Sequence, residues 1–200
     1  MTTLAKTLRP TSTLANRYTT SRAHAVSAAY EIVLILACSG LIALSAQAAV
    51  PLPFSPVPVS GQTLAVLLIA SALGRRLGSA AVLAYLAEGA MGLPVFAGGI
   101  GGPAALIGPT GGYLVGFLPA AWVCGALAER GWDRNPLGMI ASMVAGEILL
   151  FATGLFWLSR FVGPAAVWGV GLLPFLPGEA AKIAIAAAAL PLSWRVVSRR

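Results

Sequence analysis

Long apolar runs, separated by short clusters of arginine, proline and glycine, set the pattern of this chain. Ala29 to Val50 is the first run, broken only by Glu31 near its start. A shorter one lies between Gly61 and Gly74 and is closed by Arg75 and Arg76. The third begins near Leu77 and fades at Leu93-Pro94; the fourth runs from Tyr113 to Ala128 and stops at Glu129-Arg130. Leu137 to Leu158 is the fifth and Glu179 to Trp194 the sixth. A helix rises about 1.5 Å per residue and needs about 20 residues to cross roughly 30 Å of hydrocarbon. The pattern predicts an all-α integral membrane protein of six transmembrane helices. Runs two and six are short for a full crossing, so tilt or broken ends make up the difference.

Charge sets the orientation. Lys6, Arg9, Arg17 and Arg22 precede the first run, Arg75 and Arg76 join runs two and three, and Arg130 and Arg134 join four and five. With Arg195, Arg199 and Arg200 after the sixth, eleven of the 13 basic residues fall on one side. Only Arg160 lies at the opposite ends, where it is expected to snorkel. The positive-inside rule then places both termini in the cytoplasm. Residues 1–24, rich in Ser, Thr and Arg and free of acids, read as a polar cytoplasmic tail, with no apolar signal core before Ala25. Residues 25–200 read as one transmembrane ligand-binding domain.

Composition agrees: 58% of residues are hydrophobic and 10% charged, against about 25% charged in soluble domains. The net charge of +7 has no basic patch to track phosphates, so no nucleic acid is expected. Cys38 and Cys124 sit inside apolar runs and read as small buried hydrophobes. With Lys6 and Lys182 the only lysines, there is no phosphate loop of the G-x-x-x-x-G-K-[ST] kind. No nucleophile–base pair, metal-ligand set or cofactor fingerprint is visible either, and His24 has no partner for catalysis. An enzyme is not expected, nor a cofactor, nor a resident metal.

The segments opposite the arginines are unusual. They hold ten of the 14 prolines, and Gly89 to Gly112 contains nine glycines. They are also apolar, as in Val50-Pro51-Leu52-Pro53-Phe54-Ser55-Pro56-Val57-Pro58-Val59. Irregular backbone at membrane depth is tolerated where it is buried in protein or lines a cavity. Stiff apolar loops of this kind suit a lid over a small, partly hydrophobic ligand. Polar intramembrane residues mark functional sites by default. Glu179 and Lys182, three apart, share one helix face, and Pro177-Gly178 starts that helix with an acid in its first turn. The anion accompanying Lys182 is Glu179, Glu147 or a ligand carboxylate. Glu88 and Glu147 read as paired or neutral buried acids, and Trp122 and Trp194 as interface anchors.

These segments resemble one family. Val50 to Thr63, ending Ser60-Gly61-Gln62-Thr63, is similar to the first outer loop of BioY, the biotin-binding S component of energy-coupling-factor transporters. Gly92-Leu93-Pro94-Val95-Phe96-Ala97-Gly98-Gly99 and Gly108-Pro109-Thr110-Gly111-Gly112-Tyr113 match its next two signatures. Pro174-Phe175-Leu176-Pro177-Gly178-Glu179, with Lys182, matches its last. The resemblance implies a six-helix S-component fold in the bacterial cytoplasmic membrane, with apolar outer loops capping a pocket that captures biotin. It further implies assembly with a transmembrane coupling protein and two ABC ATPases, in keeping with the missing phosphate loop.

In the family the acid and lysine of the last motif contact biotin. They map onto Glu179, where the family usually has aspartate, and Lys182. Gln62, Thr63 and Gly98 belong to the matched motifs, and Phe54, Tyr85, Phe96 and Tyr113 are available to surround biotin's bicyclic ring. Docking on the coupling protein through small residues spaced by four maps onto Ser39 and Ala43 of the first helix, with Ala25 and Ala29 a second candidate. Which end of biotin faces Lys182 is left open. The alternatives are an S component for another vitamin, or an ion-coupled transporter using Glu147 or Glu88.

Overall fold

The apolar runs become helices because inside hydrocarbon a helix satisfies its own backbone N–H and C=O groups. The computed structural model describes the backbone of residues 24–198 and the side chains of residues 28–194. The polar tail expected over residues 1–24 thus lies outside the described residues, the backbone of His24 excepted, and so do the side chains of Ala25, Arg195, Arg199 and Arg200. In chain order the elements are helix α1 (His24–Gln47), strands β1 (Ala49–Leu52) and β2 (Ser55–Ser60), and helix α2 (Gln62–Ala90). Helices α3 (Pro103–Ile107), α4 (Gly111–Glu129), α5 (Pro136–Val162), α6 (Val167–Gly171) and α7 (Leu176–Ser198) follow.

By length and apolarity five helical stretches qualify as spans among the described residues, one fewer than expected. The count is restored inside α2. Gly74 has φ 84° and ψ 174°, a conformation that favours glycine, and there the chain reverses. The Gln62 side-chain amide donates to the Tyr85 hydroxyl, two residues that a straight helix would hold roughly 35 Å apart. Residues 62–73 and 75–90 are therefore two antiparallel arms, and six segments cross the bundle. Glu129 of α4 holds the turn, its carboxylate accepting the Arg75 backbone N–H at 3.0 Å and lying 3.4 Å from the guanidinium. Gly125 of the same helix lies so close that a Cβ there would sit 2.4–2.6 Å from backbone atoms of Gly74 and Arg75.

One of the irregular outer loops expected beside the all-α bundle has regular structure of its own. The first proline-rich segment is a two-stranded antiparallel hairpin, with Ala49 opposite Ser60 and Val50 opposite Val59. Both strands of such a ribbon are edges, where a residue without an N–H does no harm. Pro51, Pro53, Pro56 and Pro58 thus coexist with the pairing.

Ser39 and Ala43 face the wrong way for docking. Ser39 is fully buried and donates to Glu88 on α2 at 2.6 Å, and Ala43 packs against the core. The same helical spacing puts Ile42 and Ala46 inside and turns Ile32, Val33, Leu36, Leu41 and Leu44 outward. Trp194 is likewise no interface anchor: it is buried and its indole N–H donates to Asp133 in the α4–α5 connection, whereas Trp122 is half exposed. Arg160 lays its guanidinium 4.9 Å and 5.2 Å from the ring centres of Phe156 and Trp157.

Two consequences are testable by thermal unfolding in detergent. Gly125→Val forces a side chain into the backbone of the Gly74 turn and should cost more than the ~1–3 kcal/mol typical of overpacking; an unchanged midpoint would contradict this packing. Burial pushes the Asp133 carboxyl above the usual carboxylate range, against the smaller opposing pull of the Trp194 N–H. With the folded value raised, the group's contribution is fully present at acid pH and is lost as pH rises through it. Asp133→Asn, which keeps an acceptor for Trp194, should match or exceed the parent's midpoint at neutral pH. Asp133→Leu, which strands the indole N–H, should fall below it.

Candidate ligand-binding site

The hairpin, the 89–112 segment and the pocket ends of α4, α5 and α7 enclose one cavity of about 130 Å³. Its lid is the hairpin, which contributes Pro56, Val57 and Pro58 to the lining and is tied to α6 by the Ser55 hydroxyl, donating to Val170 O at 2.7 Å. One wall is aromatic. Tyr113 stacks on Phe175 with ring centres 6.4 Å apart, and Phe151 meets both edge-on at 6.1 and 6.2 Å. The Tyr113 hydroxyl donates to Gly171 O at 2.8 Å. Its ring lies against Gly154, where a Cβ would come within 2.4 Å of it. The wall is thus held by close backbone approach as well as by ring contact.

The polar corner lies where β2 runs into α2. Lys182 Nζ donates to Ser60 O at 2.6 Å, to Thr63 Oγ1 at 2.7 Å and to Glu179 Oε1 at 2.8 Å. Those three bonds use all three ammonium protons. Thr63 passes its own proton on to Glu179 Oε2 at 2.9 Å. Glu179 is 3% exposed and lines the cavity, while the Lys182 side chain, 12% exposed, stands behind it. The acid also occupies the first turn of α7, the positive end of the helix dipole. Of the two acids expected beside Lys182, Glu179 is the one that accepts a hydrogen bond from it.

Other expected residues divide cleanly. Gln62, Thr63, Phe96 and Tyr113 line the cavity with Glu179. Tyr85 does not: it is fully buried behind the wall, accepts from Gln62, donates to Val95 O at 3.2 Å and meets Phe96 edge-on at 5.4 Å. It holds lining residues without being one. Phe54 is 59% exposed at the hairpin tip and stands off the cavity, because the turn between Leu52 and Ser55 throws it outward. Gly98, at φ 74°, turns the chain beside the cavity-lining Ala97 and adds no surface of its own. Phe117, Leu150, Phe151 and Phe175 line it without having been singled out. Phe175 sits inside the last motif quoted above, and Phe151 lies one turn from Glu147 on the same helix face. Among the described residues no group of His, Cys, Asp and Glu is placed to hold a metal ion.

A corner of this kind accepts a polar group beside Glu179 and an apolar, flat body against the aromatic wall. The family model described as the BioY family matches residues 16–199. The "Biotin transporter BioY" of Rhodobacter capsulatus is 39% identical over 158 residues, covering 72% of this chain and 82% of the relative. That of Thermotoga maritima is 42% identical over 139 residues, covering 69% and 81%. A crystal structure titled as the S-component for biotin from an ECF-type ABC transporter superposes with a TM-score of 0.77 at 24% identity, over 88% of this chain and 95% of that one. That likeness is one of fold.

The ion pair makes a prediction of its own. Lys182→Met alone leaves Glu179 a buried anion without its cation, a change that typically costs ~3–5 kcal/mol. Adding Glu179→Gln removes the stranded charge and should restore most of the lost thermal stability. A double variant no more stable than the single one would mean the two residues do not act as a pair.

Proposed function

The chain belongs to the BioY family, and from that premise we propose that it captures biotin as the substrate-binding subunit of an ECF-type transporter. The observation that carries the reading is the cavity itself, with an aromatic wall of Tyr113, Phe151 and Phe175 facing a polar corner of Glu179, Gln62 and Thr63. Biotin has the matching halves. Its bicyclic ring and thioether suit the rings, and its ureido group and carboxylate offer both donors and acceptors to the corner.

The protein sits in the bacterial cytoplasmic membrane with the arginine-rich end inside, so the cavity opens outward. Biotin then enters from outside under the hairpin. As it stands the cavity is small beside the roughly 300–1,000 Å³ of ordinary ligand sites, so the lid gives way as the vitamin enters. Pulling the Ser55–Val170 bond apart and swinging the hairpin about Ser60-Gly61 makes that room. The proline-stiffened strands move as a unit, which limits the ordering cost of closing again.

Energy comes from elsewhere. A transmembrane coupling protein and two ABC ATPases are the proposed partners, and the outward face of α1 is their proposed contact. That helix is the least buried of the long ones. Its exposed side carries small residues at Ala29, Ala37 and Gly40 among Val33 and Leu36, a surface that lets another helix come close. It replaces Ser39 and Ala43 as the assignment.

Calorimetry of the detergent-purified chain with biotin tests the reading. Saturable binding tighter than about 1 μM, or about −8.2 kcal/mol, is expected, and no binding overturns it. Replacing Pro53 and Pro56 together with glycine should loosen the lid and speed dissociation severalfold with little change in association. Unchanged dissociation would count against the hairpin as the lid.

A further inference from the structure

Beneath the cavity floor lies a further buried acid. Glu147 is on α5, three and four residues before Leu150 and Phe151, which line the cavity, so it occupies the same helix face one turn deeper. Lys182 is likewise one turn deeper than Glu179 on α7, which runs the other way. Glu147 is 9% exposed, and its Oε1 has no hydrogen-bond partner among the described residues. The groups that act on it electrostatically are Glu179 and Lys182. Cys124 on α4 also feels it, but its thiol is already given to Ser142 O at 3.2 Å. The other titratable groups on the neighbouring elements are engaged elsewhere. Tyr113 donates to Gly171 O, Glu129 pairs with Arg75, and Asp133 holds Trp194 at the far end. α6 contributes no titratable group.

Proton counting decides the state of this acid. The three protons of Lys182 already go to Ser60, Thr63 and Glu179, so none is left for Glu147. Two carboxylates and one ammonium would leave a net negative charge in a water-poor interior, which is among the costliest arrangements a fold can hold. Like-charged acids that share a site keep one proton between them. A carboxylic acid at Glu147 removes the net charge and also supplies a donor to Glu179, which in turn has acceptor capacity to spare.

We propose that Glu147 is a positioning residue of the biotin site: it carries a proton, donates it to Glu179, and makes capture of the vitamin depend on pH. The protonated form holds Glu179 in place against Thr63 and Lys182. As pH rises and the proton leaves, the two acids repel and the polar corner loosens. Affinity is therefore full at the acid end of the range and falls toward the alkaline end. This rests on the biotin reading above and extends it to a residue outside the cavity lining.

The test uses the full chain in detergent, with Glu147→Gln as the variant that keeps a donor but cannot ionise. Biotin affinity of the parent should fall by at least about tenfold between about pH 6 and about pH 9, whereas Glu147→Gln should stay within about threefold. The difference between the two profiles measures the contribution of Glu147. Parallel profiles overturn the proposal. Infrared spectroscopy of the ligand-free protein gives a second readout: a protonated-carboxyl C=O band at neutral pH, absent in Glu147→Gln and lost from the parent in step with its affinity. Should the variant fail to fold, the parent's band and its coincidence with the affinity loss still decide, and a missing band overturns the proposal. A parent that shows the band yet binds no biotin at any pH would instead remove the biotin reading.

Discussion

One ammonium group joins the hairpin to the helices of this protein. Lys182, on the helix that ends the bundle, reaches the last residue of the hairpin lid through Ser60 O, the start of α2 through Thr63, and the cavity wall through Glu179. Without it Ser60 O would lose this donor and Glu179 its cation, while Thr63 and Glu179 would keep only each other. A lysine near a helix N-terminus opposes the helix dipole, and its desolvation is costly. The fold retains it because three separate elements converge on its three protons. A guest that bonds to Glu179 thereby acts on the group that also holds the lid's root.

The rest of the architecture brings those elements together. The reversal at Gly74 returns the chain so that Gln62, at the start of one arm, meets Tyr85 near the end of the other. Gly125 lets α4 lie on that turn, and Gly154 lets Tyr113 lie on α5. Close helix approach of this sort replaces the hydrophobic drive that is absent between helices in lipid. At the other end of the bundle, Glu129 with Arg75 and Asp133 with Trp194 fasten the connections. The cavity end is held by ring contacts, by bonds to the hairpin and by the Trp157 indole N–H donating to Gly108 O.

The six crossings were legible because run length is a direct consequence of hydrocarbon thickness, and the arginine pair after Gly74 marked a turn even where the helix continues in form. The hairpin was not legible: four prolines in ten residues argue against strands unless both strands are edges. Glu179 and Lys182 were readable as a pair from their spacing, but which of them faces the cavity depends on how α7 is rotated. Spacing alone also could not orient α1. Ser39 has the size for a docking surface, yet Glu88, 49 positions away, draws its hydroxyl inside. Tyr85 and Phe54 were plausible ring donors on type; one became a buried support and the other a loop tip. Phe151 carried no signal of its own, because phenylalanine in an apolar run is unmarked until a neighbouring helix faces it, whereas Phe175 lay inside the last motif beside the more conspicuous Glu179.

A crystal structure of the chain with biotin bound tests the central claim most directly. The account predicts the vitamin under the hairpin, its polar end on Glu179 and its body against Tyr113, Phe151 and Phe175, with Lys182 still bonded to Ser60 and Thr63. Biotin seated outside this cavity, or Lys182 drawn off Ser60 and Thr63, would contradict it.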